Sequence, residues 1–304
     1  MDIMTVRGPI KPAELGLTLT HEHLLANALL EYRSGGFMMD VDVACEELSL
    51  FAAAGGGTLV DLTTDELGRS PLALREISER TGVHVVMGSG HYREPYLDRD
   101  WFDRTSTDEI AELIIRDATV GVGETGVRAG IIGEIGADKW YLTAAEERSL
   151  RAAARAQIAT GLTLSTHACR WPVGTRQIEI LEHEGVAMDR VVIGHVDTVP
   201  TPGYALTIAQ RGCWVEFDGF GTDYARDMDF ALARMRELAD AGHVGQLLVS
   251  QDVFLRPHLH TFGGNGYDFV PRELPAMLRG VGFTDPEITA LLVDNPRRAL
   301  SGAS

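Results

Sequence analysis

Cysteines and long apolar stretches are scarce in this chain of 304 residues. The three cysteines, Cys45, Cys169 and Cys213, are odd in number and far apart, so we expect no disulfide framework and predict a reducing, cytoplasmic compartment. No run of about 18 apolar residues occurs, which argues against a membrane-spanning helix. The first residues lack the charged-then-apolar pattern of a signal peptide. No linker, charge block or low-complexity segment divides the sequence, so we expect one domain over residues 1–304.

Basic residues are also few. The chain has 27 Lys and Arg against 44 Asp and Glu, a formal charge of −17. Binding to nucleic acid or to an anionic membrane surface needs clustered Lys and Arg, so neither is an expected partner. A small-molecule substrate is the kind of partner that remains, and it can itself be anionic if the pocket that binds it is locally basic.

Short apolar runs recur along the chain, each followed by a polar loop and a helical pattern. They are uninterrupted and rich in Val, Ile, Leu and Thr, as expected of strands buried on both faces. Strands that alternate with helices predict parallel βαβ units, and eight of them predict an α/β fold of the (β/α)8 TIM-barrel type. An open, doubly wound sheet is the alternative, although no run is followed by a GxGxxG fingerprint. The runs cover residues 17–20, 58–62, 83–88, 130–135, 162–166, 191–194, 214–217 and 247–250.

The clearest helical pattern covers residues 144–160. Thr143 is a good N-cap, Glu146 completes a capping box and Gly161 is a good stop signal. Two further helices are predicted over 225–241 and 286–293, the second ended by the Asn-Pro pair at 295–296.

Candidate metal ligands follow these predicted strands. In a closed parallel barrel the C-terminal strand ends lie on one face, where active sites are found. His21 and His23 end the first run, and positions two apart in an extended chain face the same side. Two imidazoles suit zinc, and also manganese, cobalt or iron with additional oxygen ligands. Taken alone, the pair is also what solvated histidines at a polar strand end would look like.

Four further residues extend this set. Glu134 lies inside an apolar run, where an unpaired carboxylate is very costly, so it needs a cation or an ion pair with a neighbouring Arg or Lys. His167 and His195 end the fifth and sixth runs, and each alone could be an ordinary core histidine. Asp252 follows the eighth run and could simply be a helix N-cap. Together with the histidine pair, they predict a site for two divalent ions with Glu134 between them.

The arrangement resembles the phosphotriesterase family of the amidohydrolase superfamily. The resemblance rests on the order and strand placement of several motifs and extends from about residue 18 to the final NPRRAL. The motifs are THEH (20–23), VDLTTDELGR (60–69), GSGHY (88–92), GIIGEIG (130–136), STH (165–167), GHVD (194–197), SQD (250–252) and GGNGYDF (263–269).

The resemblance implies a role for each ligand. His21, His23 and Asp252 would bind the more buried metal, and His167 and His195 the more exposed one, with a carboxylate and a hydroxide bridging the two. Many members use a carboxylated lysine as the bridge, whereas this sequence has Glu134 at that position and looks like the subgroup with glutamate. This difference casts doubt on copying the organophosphate activity of the lysine-type enzymes.

Two metal ions sharing a hydroxide predict hydrolysis, because bound metal lowers the pKa of water to about 7. Asp252 is placed to accept the proton of the attacking hydroxide and pass it to the leaving group. A lactone or carboxylic ester is the favoured substrate, with an amide of an N-acyl compound or a phosphoester as alternatives. A barrel that binds a ligand without turnover is the alternative from a different class.

Arginines and aromatic residues in the loops after the strands are candidates for contacting the substrate. We hypothesise that one or two of the arginines hold a carboxylate or phosphate of the substrate, while pairing with loop carboxylates is the alternative for each. A homodimer is a common assembly for barrels, but no surface pattern indicates an interface. The arginines are Arg69, Arg93, Arg170, Arg226 and Arg256, and the pocket-lining aromatics are Tyr92, Trp171 and Phe220.

Overall fold

The computed structural model describes residues 1–222 and 227–302. Eight parallel strands form one sheet whose neighbours follow chain order from first to last. The TIM-barrel prediction is confirmed. The strands are β1 (Leu17–Glu22), β2 (Gly56–Asp61), β3 (His84–Ser89), β4 (Ile131–Ala137), β5 (Leu164–Ala168), β6 (Val191–Ile193), β7 (Trp214–Phe217) and β8 (Leu247–Val249).

Helices pack around the sheet. A large hydrophobic core joins the outward faces of the strands to the helices. The main helices are α1 (Val41–Ala53), α2 (Pro71–Thr81), α3 (Thr107–Thr119), α4 (Ala144–Thr160), α5 (Gly174–Glu184), α6 (Tyr204–Gln210), α7 (Met228–Asp240) and α8 (Phe269–Gly280), and the shorter ones are Leu29–Tyr32, Arg99–Arg104, Asp285–Thr289 and Asn295–Ser301.

Helix α4 confirms its predicted caps. The Thr143 hydroxyl accepts a hydrogen bond from the Glu146 N–H, the Glu146 carboxylate accepts one from the Thr143 N–H, and Gly161 has a φ of 70°. Helix α7 begins at Met228, after an Asp227 N-cap. The first two residues of the helix predicted over 225–241 lie outside the described residues.

The predicted end of the last helix is wrong. The chain passes from Asp285–Thr289 through a π-helical turn, Ala290–Asp294, directly into the helix Asn295–Ser301. Pro296 lies in the first turn of that helix, where a missing N–H costs no intrahelical hydrogen bond. The Asn-Pro pair therefore starts a new helix here.

Two strands at opposite ends of the sheet, β8 and β1, are joined by a buried polar network. The Glu22 carboxylate accepts hydrogen bonds from the Ser250 hydroxyl at 2.7 Å and from the backbone N–H groups of Gln251 and Val253 at 2.7 and 2.8 Å. The Ser250 hydroxyl also accepts a hydrogen bond from the His21 N–H at 3.0 Å. These bonds fix the end of β1 beside the residues that follow β8.

An N-terminal hairpin, Ile3–Thr5 and Gly8–Ile10, covers the opposite end of the barrel. The Val6 N–H donates to the Val85 carbonyl near the start of β3, and Ile3 packs against buried side chains such as Val86 and Ile131. The C-terminal ends of the strands are thereby left as the accessible mouth. No helix among the described residues is long and apolar enough to cross a membrane.

We expect Ser250→Ala to lower the free energy of unfolding by about 1–3 kcal/mol, because it removes a buried donor to Glu22 and the acceptor for the His21 N–H. Urea denaturation of the purified protein measures the change. Ser49→Ala is the matched control, since Ser49 is exposed and its hydroxyl bonds only within α1. Equal stability of the two variants would contradict the role given to this network.

Candidate metal centre

The six predicted ligands lie together at the mouth of the barrel. His21 is part of β1 and His23 follows it, Glu134 belongs to β4, and His167 to β5. His195 and Asp252 come two and three residues after β6 and β8. All six are buried. The fold therefore brings together side chains that are more than 230 positions apart in the chain.

A bulge in β4 places Glu134. The pairing of β4 with β5 shifts between Ile132 and Ile135, so that three steps on β4 match two on its neighbour. Such a bulge changes the direction of a side chain. Gly133 has a φ of 130°, and a Cβ there would lie 2.4 Å from the Ser165 carbonyl oxygen, so only glycine fits.

One oxygen of Glu134 lies close to three imidazole nitrogens. Oε1 is 3.0 Å from Nε2 of His21, 2.9 Å from Nδ1 of His167 and 3.0 Å from Nε2 of His195. The nitrogens of His167 and His195 are themselves 2.8 Å apart. Glu134 thus lies between the histidines in the way that a bridging role requires.

The potential ligand atoms fall into two main groups. Asp252 Oδ1 lies 3.3 Å from Nε2 of His23 and 3.9 Å from Nε2 of His21, and these three side chains form one group. Glu134, His167 and His195 form the second group. In each group all the ligand atoms lie within 4.8 Å of one another, close enough to hold a metal ion.

Carboxylates behind the histidines decide where the ring protons lie. Nδ1 of His195 is 2.9 Å from Asp218 Oδ1, and Nδ1 of His21 is 3.3 Å from both Asp218 Oδ2 and Glu216 Oε2. A carboxylate only accepts, so in each neutral ring Nδ1 carries the hydrogen and Nε2 presents a lone pair to Glu134. Nε2 of His21 is buried and makes no well-aligned hydrogen bond in the described part of the chain, although Glu134 Oε1 lies 3.0 Å from it.

The pKa shifts reflect the same excess of negative charge. Burial alone would lower the pKa of His195, but the charge of Asp218 and the hydrogen bonds that the ring donates to Asp218 and Glu134 raise it well above its usual value. Burial and neighbouring His195 lower the pKa of His167 to about 4, against the effect of Glu134, so this ring is neutral at pH 7. Neutral imidazole is the form that binds metal.

These residues fit a pair of divalent cations. When His21 and His195 are neutral, both rings direct lone pairs at the same carboxylate oxygen, an arrangement that a cation between them stabilises. Imidazole nitrogens and carboxylate oxygens are suitable ligands for zinc and for manganese, cobalt or iron. His21, His23 and Asp252 would hold one ion, His167 and His195 the other, and Glu134 would bridge them.

Two of the candidate ligands have backbone conformations that are uncommon for residues other than glycine. The φ angles are 58° at His195 and 50° at Asp252, both in the left-handed region. The His195 N–H donates to Asp218 and the Asp252 N–H donates to the His21 carbonyl, which holds both turns in place. Strain of this kind is often stored at functional sites.

Asp218 and Glu216 were not singled out by the sequence analysis. Asp218 directly follows β7, the same position relative to a strand that identified the other candidates. Glu216 lies within β7 among apolar residues, as Glu134 does in β4. Both signals were present, but neither residue belongs to a recognised motif.

A narrow cleft opens beside the metal-ligand groups. Tyr92 and Arg170 line it, as expected from sequence. The rings of Tyr92 and His167 are nearly perpendicular, with centroids 5.2 Å apart, and desolvation holds the pKa of Tyr92 well above the usual value. Further lining residues include Tyr32, Leu67, Arg93, Tyr96, Asp138, Cys169 and Phe254.

Two predicted substrate-contacting residues lie elsewhere. Phe220 is 1% exposed and belongs to the hydrophobic core, because the chain turns inward after β7 and its N–H bonds the Ser250 carbonyl. Arg256 stacks on Phe262 at 4.2 Å and borders a separate cavity. Arg226 lies outside the described residues.

Two other loop arginines are engaged with carboxylates. Arg69 pairs with Asp65 and Asp117 and donates to the Gly88 carbonyl. Arg93 lines the cleft and pairs with Glu31 and Asp138. For these two, the ion-pairing alternative describes the structure. The cysteines at positions 45, 169 and 213 are buried and form no disulfide with one another.

The fold and the site define an α/β barrel with a candidate binuclear metal centre at its C-terminal mouth. A model of the phosphotriesterase family matches residues 1–300, and the chain belongs to that family.

Three relatives span almost the full chain. An N-acetyltaurine hydrolase from Dictyostelium discoideum is 28% identical over 98% of this chain and 97% of its own. The solved structure of a resiniferatoxin-binding protein from Rhodobacter sphaeroides is 37% identical, with a TM-score of 0.91, covering 98% and 94% of the two chains. That of a lactonase from Listeria monocytogenes is 26% identical, with a TM-score of 0.93 and complete coverage of both. The prediction of a metal-dependent hydrolase is confirmed at this general level.

We expect Asp218→Asn to weaken metal binding by about 10–100-fold, because the amide no longer fixes the ring protons of His21 and His195. Competition with a chromophoric chelator measures the dissociation constants. Asp240→Asn, an exposed change at the end of α7, is the control and should leave them unaltered. An unchanged affinity in Asp218→Asn would show that the ligands hold their orientation without it.

Proposed function

We propose that this chain is a binuclear metal-dependent hydrolase that cleaves a lactone or carboxylic ester of a small molecule. The observation that carries the proposal is the convergence of three imidazole nitrogens on Oε1 of Glu134, at 2.9–3.0 Å. Zinc is the proposed metal, with manganese, cobalt or iron as alternatives. When bound, such ions supply Lewis acidity and lower the pKa of water to about 7.

Each ligand side chain has a proposed task. His21, His23 and Asp252 hold one ion, His167 and His195 the other, and Glu134 joins the two halves of the site. Asp218 and Glu216 keep Nδ1 protonated in the rings they face, so that Nε2 remains available as a ligand. Burial of the whole set excludes bulk water, which strengthens each electrostatic interaction in the site.

Asp252 is the proposed general base. It borders the cleft as well as the metal-ligand groups, so its carboxylate can accept a proton from the attacking water and deliver it to the leaving group. Tyr92 also lines the cleft, and its high pKa keeps the hydroxyl protonated as a donor. These two residues would orient the acyl group for attack from the metal side.

An N-acyl compound is the second candidate substrate. The relative from Dictyostelium is named for the hydrolysis of N-acetyltaurine, an amide, while the relative from Listeria is named a lactonase. Ester and amide hydrolysis use the same attack on an acyl carbon, so one site could support either. A phosphoester substrate and a ligand-binding barrel without turnover, the latter suggested by the name of the Rhodobacter relative, are the remaining alternatives.

Three wider expectations also remain predictions. The cysteine pattern favours a cytoplasmic location, one domain is expected over residues 1–304, and a homodimer is a common state for such barrels. Arg93 and Arg170 both line the cleft, and one or two of the loop arginines are the proposed contacts for an anionic substituent.

We expect removal of metal with a chelator to abolish hydrolysis, and Zn²⁺, Mn²⁺ or Co²⁺ to restore it. Metal analysis of the purified protein should give about two ions per chain. Activity that survives complete metal removal would contradict the proposed mechanism, and a protein that binds metal but hydrolyses no lactone, ester, amide or phosphoester would favour a binding role.

We expect Asp252→Asn to lower kcat by about 10²–10⁴-fold, because the amide cannot accept the proton. Kinetics on a panel of lactones, aryl esters and N-acyl compounds measure the loss and rank the substrates. Asp240→Asn again serves as the control. Metal content is measured in parallel, and a loss of activity that parallels a loss of metal would assign Asp252 a ligand role only.

A further inference from the structure

Arg93 is a buried cation on the wall of the cleft. Only 5% of the residue is exposed, and it borders the same cavity as Glu134 and Asp252. The rings of Tyr92 and Tyr96 lie against its guanidinium, with centroids at 4.8 and 5.4 Å. These ring contacts restrict the orientation of the guanidinium.

The hydrogen-bond donors on this wall, Arg93 and Tyr96, already contact a carboxylate of the chain itself, that of Glu31. Glu31 pairs with one terminal nitrogen of Arg93, and Asp138 pairs with the other. The Tyr96 hydroxyl also donates to Glu31 Oε2, at 3.1 Å. Desolvation raises the pKa of Tyr96, which keeps this hydroxyl protonated. Together, Arg93 and Tyr96 form a binding site for an oxyanion, and Glu31 fills it.

The charges restrict how a substrate anion can bind here. Arg93 carries one positive charge and already faces two carboxylates, so a third anion added beside them would meet net repulsion. An anion that replaces one carboxylate leaves the charge of the cluster unchanged and takes over the same donors.

Glu31 is the carboxylate that can leave. Its side chain is 32% exposed, against 14% for Asp138. It belongs to the short helix Leu29–Tyr32, which has no buried residue, and few buried contacts mean that a segment opens at low cost. Asp138 instead directly follows β4 and borders the cleft.

We propose that Arg93 and Tyr96 form a subsite for an anionic substituent of the substrate, and that Glu31 occupies this subsite until the substrate displaces it. The substrate class is then an acyl compound that carries a carboxylate or sulfonate away from the scissile bond. This inference deepens the proposed hydrolase function and rests on it for the identity of the substrate, but the anion subsite can be tested by binding alone.

The test compares a charged ligand with an uncharged one. N-acetyltaurine carries a sulfonate, and N-acetylethanolamine has a hydroxyl in its place. Binding of both is measured by isothermal titration calorimetry in an Asp252→Asn background, so that turnover is not required. We expect Glu31→Gln to tighten binding of the sulfonate by about tenfold, equivalent to about 1.4 kcal/mol, and to leave binding of the neutral compound unchanged.

Two further variants keep the test specific. Tyr96→Phe, added to Glu31→Gln, should weaken sulfonate binding again, since it removes a donor. Glu94→Gln is the matched control, because Glu94 pairs with Arg99 and Lys139, and it should not change the preference. An equal effect of Glu31→Gln on both ligands, or no sulfonate binding to any variant, would overturn the proposed subsite.

The same readout separates this inference from the proposed function. Selective sulfonate binding without hydrolysis of any acyl compound by the enzyme with Asp252 intact would support the subsite and contradict the hydrolase proposal. Hydrolysis with no change in charge preference would do the reverse. A loss of stability in Glu31→Gln, with weaker binding of both compounds, would show that Glu31 only holds the loops together.

Discussion

Positive charge is required between Glu134 and the imidazoles that face it. Buried Asp218 faces Nδ1 of His21 and of His195, and Glu216 also faces Nδ1 of His21, so Nδ1 carries the hydrogen when each ring is neutral. Nε2 of both rings then presents a lone pair to Glu134, which is itself an acceptor. Without cations, the site is neutral only if the rings take up protons, which is the direction of the raised pKa values of His21 and His195. A pair of divalent ions meets the same requirement.

The barrel provides the geometry for this arrangement through irregularities at its strand ends. Gly133 allows the bulge in β4 that presents Glu134, and left-handed backbone at His195 and Asp252 turns these candidate ligands into the mouth. The Glu22 network then joins β1 to the residues after β8. Regular strands would carry the same residues, but their side chains would not converge on one point at the mouth.

Charge is arranged differently in the cleft. Arg93 forms ion pairs with Glu31 and Asp138. These two carboxylates stabilise a buried cation on the wall of the cleft. A paired cation can still recognise an anion by exchange, and the more exposed carboxylate, on the short helix beside the mouth, is the one able to exchange. In the proposed function the metal centre acts on the acyl group, and this wall would select what the acyl group carries.

Apolar periodicity and the histidines and carboxylates at strand ends were enough to predict the barrel and the six residues that meet at its mouth. In a parallel barrel, a residue at the C-terminal end of any strand lies on the same face of the barrel as the residues at the other strand ends, however far apart they are in the sequence. The direction of side chains further into the loops was not predictable. Phe220 enters the core and Arg256 turns to another cavity, because loop hydrogen bonds and packing decide those directions. Asp218 also directly follows a strand, but the sequence does not show which side chains it faces. Its contact with the rings of His21 and His195 is decided only when the strands lie side by side in the barrel.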